Sequence, residues 1–287
     1  RATRDNQMNI LVFGKTGQIA MELGELIQAN FLSRLDCDLS NPKNCFTKIM
    51  NSNADIVINL AAYTNVDGAE TNEELAMIVN GEAPTIMAQA CFKKGIPLIH
   101  LSSDYVYGDN GVKEILPSLS PSPLNVYGKS KLIGDTGIIN SGATYVILRT
   151  SWVFSKYGSN FVKTIIKLSK SNKSLNVIND QIGGPTPARD IAHSCLVISK
   201  KLLLNNNLSG IYHFSGKPNI SWAKFAEKIV TAIESQTQIN YIKSSEFGSK
   251  ALRQKNSRLN CKSIAKNFNI KCPQWGTNLD NLIKEEK

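Results

Sequence analysis

The chain has 287 residues, 42% of them apolar, and a formal charge of +10 from 33 Lys and Arg against 23 Asp and Glu. That length accommodates one large domain or two small ones around a buried core. No apolar run approaches the ~20 residues of a membrane span, and the dispersed lysines, without a basic block or interleaved aromatics, argue for a solvated surface rather than a nucleic-acid footprint.

Residues 1–7 are polar, lack a signal-peptide h-region and precede Met8, so they read as a leader outside the fold. Met8 to Phe13 is a short apolar strand ending in Gly14-Lys15-Thr16-Gly17-Gln18, and Ile19, Leu23, Leu26 and Ile27 follow on one helical face. Strand, glycine turn and helix open a dinucleotide-binding unit, in which N–H groups at the helix start receive a pyrophosphate. The pattern is G-x-x-G-x-x-A, with Ala20 last; a triphosphate P-loop is excluded because its upstream glycine is Asn9 here. Residues 31–35 read as a second strand, with a helix beginning near Asn41-Pro42. At the end of such a strand an acid binds a free ribose hydroxyl and a base binds a 2′-phosphate. Arg34 and Asp36 argue opposite ways, so this choice stays open.

Residues 54–64 form a near-continuous apolar strand, as expected when helices cover both sheet faces. Residues 71–94 have a helical pattern in which Asn80 is either a polar contact or a solvated amide. The strand 96–104 ends in Ser102, Ser103 and Asp104; ligands bind at carboxyl ends of strands in open α/β sheets, which places Ser103 near a substrate carbonyl. After a Gly- and Pro-rich loop, Tyr127 and Lys131 form Y-x-x-x-K, one turn apart on one helix face. A cation there favours the phenolate and makes the phenol a usable general acid or base, although such pairs are also common surface decoration. A strand at 144–149 follows, and then a looser alternation: helix 160–169, strand 175–178, turns at 179–187, helix 189–204, strand 210–214 and helix 222–233.

The expected fold is α/β, a Rossmann-like doubly wound parallel sheet with a smaller α/β substrate-binding region. Residues 8–150 are mainly the NAD(P)-binding domain and 151–287 mainly the substrate-binding region, partly interwoven with the first. The six cysteines include no C-x-x-C pair, and His100, His193 and His213 are scattered, so neither a zinc site nor a disulfide framework is indicated. Reduced thiols and a cytoplasmic location are expected.

The ordered set Gly14-Lys15-Thr16-Gly17-Gln18, Ala61-Ala62-Tyr63-Thr64-Asn65-Val66-Asp67, Ser102-Ser103-Asp104-Tyr105-Val106-Tyr107, Asn125-Val126-Tyr127-Gly128-Lys129-Ser130-Lys131, Leu148-Arg149-Thr150-Ser151-Trp152-Val153 and Asn179-Asp180-Gln181 closely resembles the dTDP-4-dehydrorhamnose reductases, a family of extended short-chain dehydrogenases/reductases. The resemblance runs from Met8 through Asn256-Ser257-Arg258-Leu259. It implies NADPH or NADH as cofactor, a dTDP-sugar substrate, and reduction of a 4-keto group to give dTDP-L-rhamnose. It implies Tyr127 as proton donor, Lys131 as its partner and a ribose ligand, and Ser103 as the hydroxyl on the carbonyl, where the family usually has threonine. Gly14, Gly17, Gln18, Ile19, Asp38, Leu39, Ala62, Tyr63 and Thr64 would line the cofactor; Asp104, Tyr105 and Trp152 would join Ser103 on the sugar nucleotide.

Three features depart from the family pattern. The second-strand region is short, Arg253-Gln254-Lys255-Asn256 lacks the usual proline, and Arg189 replaces an acid implicated in a metal-linked dimer, so no metal is expected. A homodimer is the commonest assembly for such folds. Two other readings share the motifs: a non-catalytic subunit like the regulatory subunit of methionine adenosyltransferase, and a reductase or epimerase of another nucleotide sugar.

Overall fold

The computed structural model describes residues 8–286, and the leader reading of residues 1–7 lies outside the described residues. Its centre is a six-stranded parallel sheet in the order Gly210–His213, Tyr145–Thr150, Leu98–Ser103, Ile56–Asn59, Ile10–Phe13, Asn30–Leu32. The chain runs from Ile10–Phe13 to the edge at Asn30–Leu32 and then crosses back to Ile56–Asn59. That reversal opens a crevice beyond the carboxyl ends of the strands, where ligands of open α/β sheets bind.

Ile10–Phe13 and Ile56–Asn59 are buried at every position, which is why their apolar runs do not alternate. Leu23 of Gln18–Leu26 and Ile191, Cys195 and Ile198 of Ala188–Leu204 pack on one face. Cys45 and Ile49, Met87 and Ala88, and Ile138 bring the helices Pro42–Met50, Ala83–Lys94 and Val126–Ile139 onto the other. The doubly wound architecture is therefore the expected one. A separate core of Phe154, Val162, Ile165, Phe225, Ile229 and Trp275 supports the second half, beside the parallel pair Ser174–Ile178 and Gln238–Ile242. Among the described residues no helix is long and apolar enough to cross a membrane.

Several boundaries differ from the sequence reading. The second strand ends at Leu32, and Leu35 lies in a turn, 99% exposed. The strand expected over 54–64 stops at Asn59, because side chains take over its backbone partners: Asn59 Oδ1 accepts the Ala61 N–H (3.1 Å) and Asn80 bonds both the N–H and the carbonyl of Tyr63. The helix expected over 71–94 is Glu73–Met77, a π-helical turn at Ile78–Glu82, and Ala83–Lys94. Pro84 has no N–H to offer the Asn80 carbonyl, so the α ladder breaks there, at the turn that aims Asn80 at the sheet. Gln238–Ile242, Lys262–Phe268 and Trp275–Glu286 were not legible; the first is largely exposed and carries no burial pattern.

Candidate active site

The helix Val126–Ile139 begins at Asn125, whose Oδ1 accepts the Gly128 N–H at 2.8 Å while its Nδ2 donates to the Leu252 carbonyl at 2.6 Å. A Cβ at Gly128 would lie 2.1 Å from the Tyr105 carbonyl oxygen, so the absence of a side chain lets this helix close on the turn after Ser103. Tyr127, Lys131 and Asp135 then repeat every four residues along its inner face. The Tyr105 ring meets the Tyr127 ring edge-on, with centroids 5.3 Å apart.

Burial pushes the Tyr127 phenol above its ordinary range, an effect the Ser103 hydroxyl partly offsets by hydrogen bonding, so Tyr127 is held as the neutral acid. Ser103 Oγ donates to Asp104 Oδ1 at 3.1 Å and accepts the Tyr105 N–H. Burial raises Asp104 to about 6, against hydrogen bonds from Ser257, Ser103 and Gln254. Lys131 is 1% exposed; its Nζ donates to the Leu101 carbonyl at 2.7 Å and lies 3.2 Å from His100 Nε2. Burial lowers its ammonium to about 8, with Asp135 acting in the opposite sense.

The glycine turn lies across the sheet reversal from this helix. Gly14 adopts φ +102°, and a Cβ there would sit 2.8 Å from the Ala61 nitrogen, so turn and neighbouring loop approach as only glycine allows. Gly17 begins Gln18–Leu26 without a side-chain cap, which leaves the first N–H groups of the helix available to an anion. A cavity of about 300 Å³ is lined by Gly14, Asp38, Leu39 and Tyr63. A second, of about 560 Å³, is lined by Gln18, Ile19, Ser103, Asp104, Tyr105, Tyr127, Lys131 and Trp152. Gly17, Ala62 and Thr64 line both, which makes them one cleft. The cradle and free helix start fit a dinucleotide, and the structure brings all the sequence-nominated site residues to this cleft.

The competing ribose signals separate in space. Asp36 is taken up by the Ser33 N–H (2.8 Å) and hydroxyl (2.6 Å), whereas Arg34 lines the cavity and pairs with Asp38 at 3.0 Å. Trp152 is held at φ +50°, an unusual conformation for a bulky residue, with its ring stacked on Trp222 at 3.5 Å and 11°. The proline-free segment closes over the site's edge: Arg253 pairs with Asp67 at 2.7 Å and Gln254 donates to Asp104 at 2.9 Å. Arg189 pairs with Glu25 at 2.8 Å and with Glu22 at 3.4 Å.

Sequence reading missed Gln254, Asn59 and His100, and left Asn80 undecided. Asn80 is fully buried and joins the Tyr63 loop to Ser130 Oγ at 3.0 Å, thereby fixing the Tyr63 side of the cleft to the helix Val126–Ile139. Gln254 meets a partner 150 positions away, which no local pattern encodes. The available signal was Asp135, since Y-x-x-x-K-x-x-x-D continues one helix face.

Comparison with known proteins follows the same lines. The family model described as RmlD substrate binding domain matches residues 8–287. A dTDP-4-dehydrorhamnose reductase of Sinorhizobium fredii is 36% identical, over 96% of this chain and 97% of that protein, and one of Salmonella typhimurium is 35% identical, over 97% and 98%. The crystal structure of a dTDP-4-dehydrorhamnose reductase from Bacillus anthracis in complex with NADP superposes with a TM-score of 0.90 at 31% identity, covering 97% of this chain and 99% of that one. Structures at 14–15% identity share the fold, among them a dTDP-glucose 4,6-dehydratase from Streptomyces venezuelae with NAD bound and an enzyme from Bordetella bronchiseptica in complex with NAD. Matched along its length in sequence and in fold, the chain belongs to the RmlD substrate binding domain family, that of the dTDP-4-dehydrorhamnose reductases.

Proposed function

We propose that this protein is an NADPH- or NADH-dependent oxidoreductase that reduces the C4 ketone of dTDP-4-dehydro-6-deoxy-L-mannose to dTDP-L-rhamnose, a step of nucleotide-sugar and cell-surface polysaccharide biosynthesis. The observation that carries the reading is the meeting of Tyr127, Ser103 and Lys131 in one cleft with an uncapped helix start behind the Gly14 turn. The bound nicotinamide supplies the hydride. Ser103 hydrogen-bonds the carbonyl oxygen as negative charge develops there, and Tyr127, kept protonated by burial, gives that oxygen its proton. Lys131 as an ammonium favours the phenolate left behind. Asp104, Tyr105 and Trp152 hold the sugar nucleotide, with the stacked Trp222 setting the Trp152 ring.

Residues 8–150 mainly serve the cofactor and 151–287 mainly the sugar nucleotide, with the strand Gly210–His213 returning to the first sheet. The assembly proposed is a homodimer acting in the cytoplasm. One assay tests the whole reading: oxidation of NADPH and of NADH with enzymatically prepared dTDP-4-keto-6-deoxyhexose, followed by product identification. Formation of dTDP-L-rhamnose is the expected result. Cofactor binding without oxidation would move the protein to a binding role, and turnover of a different keto-sugar would reassign the substrate.

A further inference from the structure

Lys131 is the buried base of the site, and its nearest nitrogen neighbour is a histidine whose proton can be located from hydrogen-bond polarity. His100 is fully buried between Asn59 and Lys131, with Nδ1 at 3.0 Å from Asn59 Nδ2 and Nε2 at 3.2 Å from Lys131 Nζ. The Asn59 amide is oriented by its other end, where Oδ1 accepts the Ala61 N–H at 3.1 Å. Its NH2 therefore faces the imidazole, and an amide nitrogen has no lone pair to offer, so Nδ1 must accept. Burial holds the His100 imidazolium well below its ordinary range, so the ring is neutral and carries its one proton on Nε2. That N–H points at Lys131 Nζ. An ammonium would oppose it, whereas a free amine accepts it and still donates to the Leu101 carbonyl at 2.7 Å.

We infer that His100, its tautomer fixed by Asn59, is a positioning residue that holds Lys131 as the free amine in the unloaded enzyme. The other ionisable groups facing Lys131 are Tyr127, a neutral acid on its own helix, and Asp135 one turn further on, which favours the ammonium. Asp135 is itself neutralised by Arg149 of the adjacent strand at 2.9 Å, which weakens that pull, and Asp104 stands on the far side of Tyr127. The resting balance therefore tips toward the amine. Where the cleft serves as the proposed dinucleotide site, ribose hydroxyls of the cofactor would offer acceptors to Lys131 Nζ and favour the ammonium beside Tyr127, its added proton coming from solvent.

The test is an NMR titration of 13Cε-labelled lysine in the cofactor-free protein, with the Lys131 resonance assigned by its loss in Lys131→Arg. Native Lys131 should titrate below about pH 7, as a free amine at neutral pH requires. His100→Phe removes the opposing N–H. Asn59→Asp turns the tautomer over, because its carboxylate accepts a hydrogen bond only from a protonated Nδ1, which leaves Nε2 as an acceptor. Each should raise the midpoint by about one to two pH units, the size of a hydrogen bond to a charged group. A native midpoint at or above about pH 7, or one unmoved in both variants, overturns the inference, and the native measurement decides alone where a variant fails to fold. The titration uses neither cofactor nor substrate. A protein that never oxidised NADPH would leave this inference standing, and an ordinary lysine titration would leave the reductase reading standing.

Discussion

Two buried histidines end two hydrogen-bond chains on either side of the helix Val126–Ile139, and their polarity separates a structural charge from a functional one. In the first chain, His213 Nδ1 donates to the Ile115 carbonyl (3.1 Å), its Nε2 accepts from Tyr107 OH (2.8 Å), and Tyr107 accepts from Arg149 (2.6 Å), which pairs with Asp135 at 2.9 Å. Every donor there meets an acceptor, so Arg149 holds the ion pair with Asp135 against the burial that pushes the Asp135 carboxyl up. In the second chain, Asn59 and His100 end on Lys131 with a donor facing a nitrogen that ordinarily carries three protons. A group meant to stay charged receives complementary partners. One meant to change its protonation state is left poised.

The largest effect should come from the functional chain. Tyr127→Phe is expected to lower turnover by about 10²–10⁴, the usual contribution of a positioned proton donor, while fluorescence titration still registers cofactor binding. Retained turnover would remove Tyr127 from the chemistry. At the structural chain, Arg149→Met should cost about 3–5 kcal/mol in urea unfolding by leaving Asp135 buried and unpaired. A loss below 1 kcal/mol would mean that Arg149 does not hold the pair.

Asp104 gives a pH-dependent test of intermediate size. Its folded-state pKa of about 6 lies above the ordinary 3.8, so its contribution is full below about pH 4 and is lost as pH rises through 6. The span corresponds to roughly 3 kcal/mol, and Asp104→Asn should flatten the stability profile across that window. An unchanged profile would assign the slope to another group. Trp152→Ala should raise the KM for the sugar nucleotide about tenfold, the scale of one aromatic contact, with a smaller change in kcat. Smallest of all, Arg34→Ala should lower the preference for NADPH over NADH by about fivefold, as expected for a largely exposed charge. A preference that does not move would place 2′-phosphate recognition elsewhere.

The parallel sheet was legible because strands buried on both faces read as unbroken apolar runs, and the glycine turn and Y-x-x-x-K because each is a local spacing with a local consequence. The broken helix before Lys94 shows the limit of that reading. Pro84 announces an interruption, but only the position of Tyr63 explains why Asn80 turns inward there. Gln254 and Asp104, 150 residues apart, carry no shared pattern at all.

By itself, the sequence determined the doubly wound class, the dinucleotide turn and the identity of the Tyr127 and Lys131 pair, since helix periodicity, β-branched runs and glycine spacing act over a few residues. Tertiary structure decided what Lys131 is next to. Its protonation depends on a histidine thirty-one positions earlier and on the asparagine that orients that histidine. Hydrogen-bond polarity is a property of groups brought together by the sheet, and no spacing along the chain specifies it.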